Sequence, residues 1–565
     1  MATQGLHPKT MSSESSQSNN PAILRMVYVA ITAACLLSLT YINPRPSVID
    51  LTRFQPWSGG DKEAGLPADR LPFSQWYGDG PATDIPSPSF AGYENLESSK
   101  EETGPDIEDH AAENEDEDED EILAPPPVAA VQKAVLVPSS TTDQDANIPQ
   151  TPSILINPKE YEGITGEIED PTGKSMEHFY QALHRTAKGE AGAITRIGHW
   201  GASVLGADGM TSRVRQKLQA QFGSAGRGWV NGAKGSKWYF PKDVVYRATG
   251  WSNRPVAKGQ LTPGYYGYGG AAGLSWAGAK TTYRVYSNIF ELYYRATKSG
   301  GNISIKVDGG EPEILATRTE IGEDRFHRIV VDGDGEHSFA IRAAGKGQAH
   351  VYGATMEMDK PGIIYDCIAM IGTRSSRLLK YDPDHLKGQI AHRKPDLMVL
   401  MYGGNESVDK STNIAVYKEK YRQGIRNFRA GRPEASCLIM TPADHRERYR
   451  GVYITSRNFK RIIKAQEELA TEEGCAYFDL FQAMGGDGSI TQWRKNGWVS
   501  GDYIHMNKGG SKALGDIFYK ALMKGFSDWL KKEDAAKSKV PADSNPAPSP
   551  STKTPSKAPD LPKDP

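Results

Sequence analysis

The chain has 565 residues, 38% of them apolar and 24% charged, with a formal net charge of −2. That length accommodates two or three domains with sizeable cores, and a near balance of charge without basic clusters excludes a nucleic-acid binder held by electrostatics. The four cysteines, Cys35, Cys367, Cys437 and Cys475, are too few and too scattered for a disulfide framework, and the last three lie in or beside apolar strand-like runs, where a free thiol packs as a small hydrophobe.

Residues 1–21 are largely polar and lead into an apolar run from Met26 to Ile42, extended back to Ala22. Such a run can cross a hydrocarbon core of about 30 Å at about 1.5 Å per residue. A cleaved signal peptide is the competing reading, but the polar lead is long for one and no small-x-small cleavage site follows. The expectation is a signal anchor over 22–43 with residues 1–21 cytoplasmic. Lys9 and Arg25 on one flank face Arg45 and Arg53 on the other, so charge does not orient the span; the extracytoplasmic placement of the bulk of the chain rests on the function proposed for it. Residues 44–172 are rich in Pro, Ser, Asp and Glu, and the acidic run Asp106 to Glu121 has almost nothing to bury, which reads as an extended, disordered tether.

Strands and helices then alternate. Ile194 to Trp200 reads as a first strand, and Thr211 to Phe222 as a helix, with Val214, Leu218 and Phe222 on one face and Thr211 as its N-cap. Between residues 236 and 360 the pattern changes to short strands over Val244–Ala248, Thr281–Val285, Ile289–Arg295, Ile303–Val307, Phe326–Val331, Ser338–Ile341 and His350–Met356, parted by glycine-containing turns. That reads as an inserted β-sandwich. Alternation resumes with strand Ile363–Ile371, helix Pro383–Ala391, strand Asp396–Met401, helix Ile414–Arg429, strand Ser436–Thr441, helix Ser456–Glu473, strand Ala476–Phe481 and a closing helix over 508–531. Alternation of this kind predicts a parallel sheet with helices on both faces and ligands at the carboxyl ends of its strands. The Pro-, Ser- and Lys-rich tail from 532 to 565 reads as disordered.

Candidate chemistry gathers at those strand ends. Ser203 closes the segment Ile-Gly-His-Trp-Gly-Ala-Ser (197–203), and Asp502-Tyr503-Ile504-His505 precedes the last helix. A serine hydroxyl attacks at neutral pH only when an imidazole takes its proton and a third group holds that imidazole, which suits His505 and Asp502. Acyl transfer also needs donors for an oxyanion: Gly372 can aim its backbone N–H into a pocket, and Asn405, after two glycines, can offer its amide. His199 reads either as a substrate contact or as a strand-end histidine held by backbone, Asp208 as a helix cap, and Glu406 as a ligand of sugar hydroxyls or a solvated loop carboxylate. His392 and His445 lie outside these segments, and no His, Asp and Cys cluster has metal spacing, so neither a metal nor another cofactor is expected.

In this order Ser203, Gly372, Asn405 and His505 resemble the four blocks of the SGNH (GDSL-like) hydrolases, and over residues 175–531 most resemble the bacterial peptidoglycan and polysaccharide O-acetylesterases of that superfamily. The resemblance implies a flavodoxin-like three-layer α/β domain over 173–235 and 361–531, interrupted at 236–360 by an all-β, jelly-roll-like module similar to carbohydrate-binding inserts. It makes Ser203 the nucleophile, Gly372, Asn405 and the Ser203 amide the oxyanion donors, His505 the base and Asp502 its orienter. One departure is that the usual Gly-Asp-Ser reads Gly201-Ala202-Ser203; the missing carboxylate supports the turn and does not attack, so activity is expected to survive at a lower rate. Tyr265, Tyr266, Tyr268 and Trp276 read either as a platform stacking on sugar rings or as sandwich core. The expectation is a membrane-anchored, extracytoplasmic serine esterase that removes O-acetyl groups from a cell-wall or exported polysaccharide. Its partners would be an acetylated glycan and a membrane, with no nucleic acid and no obligate protein partner. A polysaccharide O-acyltransferase using the same residues and a non-catalytic glycan-binding protein are the rival readings.

Overall fold

The computed structural model describes residue 161 and residues 164–538, apart from 410 and 456. The anchor expected over 22–43 lies outside them; among the described residues no helix is long and apolar enough to cross a membrane. Helix α1 (Glu177–Ala187) leads into β1 (Ile194–Gly201) and α2 (Gly209–Phe222). Eleven strands follow: β2 (Gly226–Asn231), β3 (Val245–Thr249), β4 (Ser252–Pro255), β5 (Ala271–Ser275), β6 (Lys280–Tyr286), β7 (Ile289–Ala296), β8 (Asn302–Val307), β9 (Glu313–Ala316), β10 (Glu323–Val330), β11 (Glu336–Ala344) and β12 (Ala349–Glu357). The chain then alternates through β13 (Gly362–Ala369), α3 (Pro383–Arg393), β14 (Leu397–Met401), α4 (Gly404–Ser407), α5 (Ile414–Arg429), β15 (Ser436–Met440), the hairpin β16 (Glu447–Tyr449) and β17 (Val452–Ile454), and α6 (Arg457–Glu473). It ends with β18 (Ala476–Phe478), α7 (Leu480–Ala483), α8 (Ser489–Lys495) and α9 (Lys508–Ser538).

Five strands form one parallel sheet in the order β13-β1-β14-β15-β18. β14 shows why: Leu-Met-Val-Leu-Met is buried along its whole length, as a strand covered on both faces must be. Side chains alternate across a strand, so Leu397, Val399 and Met401 join the core under α1, α2 and α9, while Met398 and Leu400 join the core under α3, α5 and α6. The remaining antiparallel strands make a six-stranded sheet, with β2 paired to β12, and a five-stranded sheet in the order β3-β6-β11-β8-β9. Their facing residues share a core in which the rings of Phe290 and Phe339 stack at 4.6 Å.

Several details differ from the expectations. β2 lies ahead of residue 236 yet belongs to the antiparallel sheet. Glu169, in the stretch expected as tether, pairs with Tyr477 at the parallel sheet's edge, and α9 runs past 531 to Ser538. The segment Ala476–Phe481 is strand only to Phe478, because the Asp479 carboxylate accepts the Gln482 amide and starts a helical turn. Thr211 is not an N-cap: the helix begins at Gly209, and the Thr211 hydroxyl donates to Asp208 at 2.5 Å. Asp208 occupies the N-cap position without capping; its buried carboxylate is claimed by Arg215 and Arg227 at 3.0 and 2.9 Å. Cys437 and Cys475 are not free but joined in a disulfide, whereas Cys367 is free and buried. The disulfide points to an oxidising, extracytoplasmic setting for this part of the chain.

Candidate active site

Parallel register brings three strand ends level, with Gly201 of β1 opposite Ala369 of β13 and Met401 of β14. Ser203, Gly372 and Asn405 each follow within a few residues. β1 is the strand at which the order of the sheet reverses, and a crevice at that point is where doubly wound sheets bind ligands. Ser203 starts a single 3₁₀ turn, Ser203–Leu205, that leaves its hydroxyl partly exposed.

The late loop arrives over this crevice. His505 Nε2 lies 3.1 Å from Ser203 Oγ, and His505 Nδ1 lies 2.7 Å from Asp502 Oδ2. A carboxylate only accepts, so Nδ1 carries the hydrogen and Nε2 turns its lone pair to the serine hydroxyl. Asp502 Oδ1 accepts the amides of Ile504 at 2.9 Å and His505 at 3.0 Å, and Ser500 Oγ also lies against it. Burial works to raise the Asp502 carboxyl, but the hydrogen bond and charge of His505, with the backbone and Ser500 bonds, hold it well below the usual carboxylate range. Tyr503, at the tip of the loop, holds a left-handed φ of 54°. Its ring stacks on Tyr453 of β17 at 4.7 Å, with the Arg494 guanidinium 4.6 Å from its centroid.

The loops that carry the other two residues are tied together. Gly372 is exposed and has a φ of 74°, with open space where a side chain would stand. Asn405 Nδ2 donates to the carbonyl of Thr373 at 3.1 Å, which links the two loops and leaves one amide hydrogen to point elsewhere. Glu406 is neither solvated nor open to sugar hydroxyls: it is 5% exposed, and its Oε1 accepts both the amide and the hydroxyl of Ser375, at 2.5 and 2.7 Å. Burial raises its pKa against the lowering effect of those bonds.

His199 is likewise removed from any substrate. It is fully buried, Nδ1 meets the Tyr365 hydroxyl at 2.8 Å rather than backbone, and burial pushes its pKa down to about 3. His445, outside the expected segments, is buried beside the site with Nε2 2.7 Å from Ser407 Oγ. Tyr266 and Tyr268 are core residues, the latter donating to Asp366 at 3.1 Å, so neither belongs to a sugar platform. Tyr265 lies under the Arg295 guanidinium at 3.4 Å, and Trp276 alone of the four is largely exposed, at 63%. A cleft of about 470 Å³ is lined by Gly372 and Thr373 together with Asn231, Ser236 and Lys258; it is not legible from sequence, because its walls come from segments far apart in the chain.

Residues 343–513 match the model of the GDSL-like Lipase/Acylhydrolase family, a stretch that contains Gly372, Asn405, Asp502 and His505 but begins after Ser203. Among solved structures the chain is similar to a peptidoglycan O-acetylesterase, at 19% identity and a TM-score of 0.55, over 64% of this chain and 99% of that one. A family 2 carbohydrate esterase with a carbohydrate-binding domain from Corynascus thermopiles (Myceliophthora fergusii) matches at 13% identity and a TM-score of 0.23, over 50% of this chain and 100% of that one. A family 2 carbohydrate esterase from Cellvibrio japonicus matches at 11% identity and a TM-score of 0.21, over 54% and 98%. No curated protein matches the chain.

Proposed function

From the premise that this chain is an ester hydrolase of the GDSL-like lipase/acylhydrolase family, we propose that it is a serine esterase removing O-acetyl groups from a cell-wall or exported polysaccharide. The observation that carries this reading is the relay of 3.1 Å from Ser203 Oγ to His505 Nε2 and 2.7 Å from His505 Nδ1 to Asp502. In the mechanism, Ser203 Oγ attacks the ester carbonyl carbon as its proton passes to His505 Nε2, and the negative oxygen is held by the amides of Ser203 and Gly372 and the side chain of Asn405. His505 returns the proton to the departing sugar oxygen. Water, deprotonated by the same nitrogen, then releases acetate from the acyl-enzyme.

The finer architecture follows from the same reading. The strand order supports a flavodoxin-like hydrolase domain over 173–235 and 361–531, and the paired antiparallel sheets support a jelly-roll-like carbohydrate module over 236–360, with β2 contributed from ahead of it. The run at 22–43 would anchor the chain in a membrane with this domain outside the cytoplasm, in keeping with the disulfide.

A fluorophosphonate probe should label Ser203 and leave Ser203→Ala unlabelled, and acetate should appear when the protein meets acetylated sacculi or acetylated plant polymers. An unlabelled parental protein that also fails to hydrolyse an aryl acetate would refute the esterase reading.

A further inference from the structure

Lys258 is the charged residue among those lining the cleft beside the oxyanion loop, and the segments around it are rich in cations. The segment 226–242 holds Arg227, Lys234, Lys237 and Lys242, the segment 252–273 holds Arg254 and Lys258, and the segment 370–381 holds Arg374, Arg377 and Lys380, with Asp243 and Asp382 directly after the first and the last. Two of these cations are spent inside the protein, Arg227 on Asp208 and Arg374 on Asp409. Among the described residues Lys234, Lys237, Lys258, Arg377 and Lys380 have no carboxylate partner. Lys234 and Lys237 lie over the rings of Phe240 and Trp238, each at 5.1 Å.

Three of the unpaired cations lie on neighbouring segments. Lys258 lines the cleft from the β-insert, and a side-chain carbon placed on the adjoining Gly259 would lie 3.4 Å from Arg377 Nη1 and 3.6 Å from Lys380 Cγ. A turn of the insert and the segment that follows Gly372 thus bring like charges near one another; among the described residues none of the three forms an ion pair, although Asp382 and Asp384 follow Lys380 in the chain. Like charges held close raise the energy of the free protein and lower it again when an anion enters. In a chain whose net charge is −2, such a concentration at one wall of the crevice is local.

We propose that the polysaccharide carries fixed negative charge, and that Lys258, Arg377 and Lys380 hold an anionic group of one sugar unit while the acetyl ester of a neighbouring position reaches Ser203. This rests on the esterase reading and narrows its substrate class. The wall offers the polar groups of Asn231 and Ser236 for sugar hydroxyls, and Trp238, 39% exposed in the same segment, offers a face for a ring. Carboxylate and phosphate share the chemistry these cations read.

The test is acetate release by the full-length chain from three polymers acetylated to the same degree: a polyuronate, a polyol-phosphate polymer and a neutral xylan. Initial rates are compared at 20 and 300 mM NaCl, roughly spanning Debye lengths from above 20 Å to below 8 Å. The expected result is that at least one charged polymer exceeds the xylan in kcat/KM by about tenfold or more at low salt, within the range of electrostatic steering, and that high salt removes most of the difference. 4-Nitrophenyl acetate, small and neutral, should be hydrolysed by the parental protein at nearly the same rate in both buffers. In the combined Lys258→Gln, Arg377→Gln, Lys380→Gln variant the ratio of charged to neutral polymer rates should approach one, a readout independent of overall activity lost. Equal rates on all three polymers at both salts, or a preference that survives in the variant, would overturn the inference while leaving the esterase reading standing. Failure to hydrolyse 4-nitrophenyl acetate at all would defeat both. Should the variant not fold, the preference and salt dependence of the parental protein decide alone.

Discussion

Asp502 offers a test in which two substitutions are ordered by geometry rather than by size. Its Oδ1 accepts two backbone amides, Ile504 and His505, while Oδ2 accepts only from His505 Nδ1. In Asp502→Asn the single carbonyl oxygen should therefore face the amides, and the NH₂ should face the imidazole. Reversing it would forfeit two hydrogen bonds and set donors against donors, a bias of about 2–3 kcal/mol at about 1 kcal/mol or more per bond. That corresponds to about 30- to 150-fold in favour of the orientation that forces His505 to carry its hydrogen on Nε2, facing Ser203 with no lone pair to offer. Asp502→Ala removes the same charge but leaves the tautomer free. Asn should thus be the more damaging change, approaching the ~10⁴-fold loss that wrong-tautomer substitution causes in a serine-protease triad, with Ala more active by roughly the tautomer bias. The assay is kcat for an aryl acetate in both variants, with thermal unfolding as the control for folding. Asn equal to or better than Ala would show that the carboxylate does not set the histidine's tautomer.

Asn405→Ala should lower kcat about 100- to 1000-fold as an oxyanion donor is lost; an aryl acetate hydrolysed at the parental rate would remove Asn405 from that role. Glu406→Ala leaves the buried Ser375 amide without its acceptor, a loss of about 1–3 kcal/mol, and should reduce kcat, whereas Glu406→Gln keeps an oxygen at that place and should stay near parental; equal activity of the two variants would count against a positioning role. Because burial raises the Glu406 pKa in the folded state, the native protein binds the proton more tightly than the unfolded chain, so its contribution to stability is complete below the unfolded value and lost as pH rises through the folded one. Glu406→Gln should accordingly flatten the fall in melting temperature that this group imposes on the parental protein as pH rises above the ordinary glutamate value of about 4, and an unchanged slope would contradict the assignment. Replacing Cys437 and Cys475 with serine opens a loop with a sequence separation of 38 and should cost about 4 kcal/mol by the chain-entropy estimate, read as a lower midpoint in denaturant; a midpoint equal to that of the oxidised parent would mean that the bond adds nothing.

The parts of this molecule legible in its sequence are those where one physical requirement dominates a short segment. β14 has to be apolar at every position because both its faces are covered, and α5 spans Ile414–Arg429 as its periodicity predicts, with the Asn413 side chain accepting the Val416 amide at its start. The meeting of Ser203 with the Asp502–His505 pair was legible for a similar reason, since a hydroxyl just past a strand end and a carboxylate–imidazole pair three residues apart are short, local signals. β4 and β5 were not, because Ser-Asn-Arg-Pro and Ala-Ala-Gly-Leu-Ser carry almost no β-branched or aromatic residues and are strands only through their partners. The disulfide was hidden by topology: Leu438 of β15 pairs with Ala476 of β18, which sets Cys437 and Cys475 side by side, and no spacing rule foretells that without knowing that the strands are neighbours. Glu406 misled for a related reason, a carboxylate in a polar loop being solvated until a second loop, here that of Ser375, closes over it.

The position of the insert explains how the cleft comes to lie beside the strand ends that carry the candidate site. It enters between β1 and β13, which are direct neighbours in the parallel sheet, so its two ends must return to adjoining points, and β2 near its start pairs with β12 at its end. Buried charges fasten this junction: Arg393 of α3 donates from Nε to Asp366 of β13 at 2.7 Å and also binds Glu357 of β12, while Arg196 of β1 donates to the same glutamate at 2.8 Å. Removing one member would strand its partner's charge in the interior at a cost of about 3–5 kcal/mol. A module held this firmly does not swing on a linker. On the proposed reading, a glycan held against the wall bearing Lys258 would thus be held by a module fastened to the strands that lead to Ser203 and Gly372.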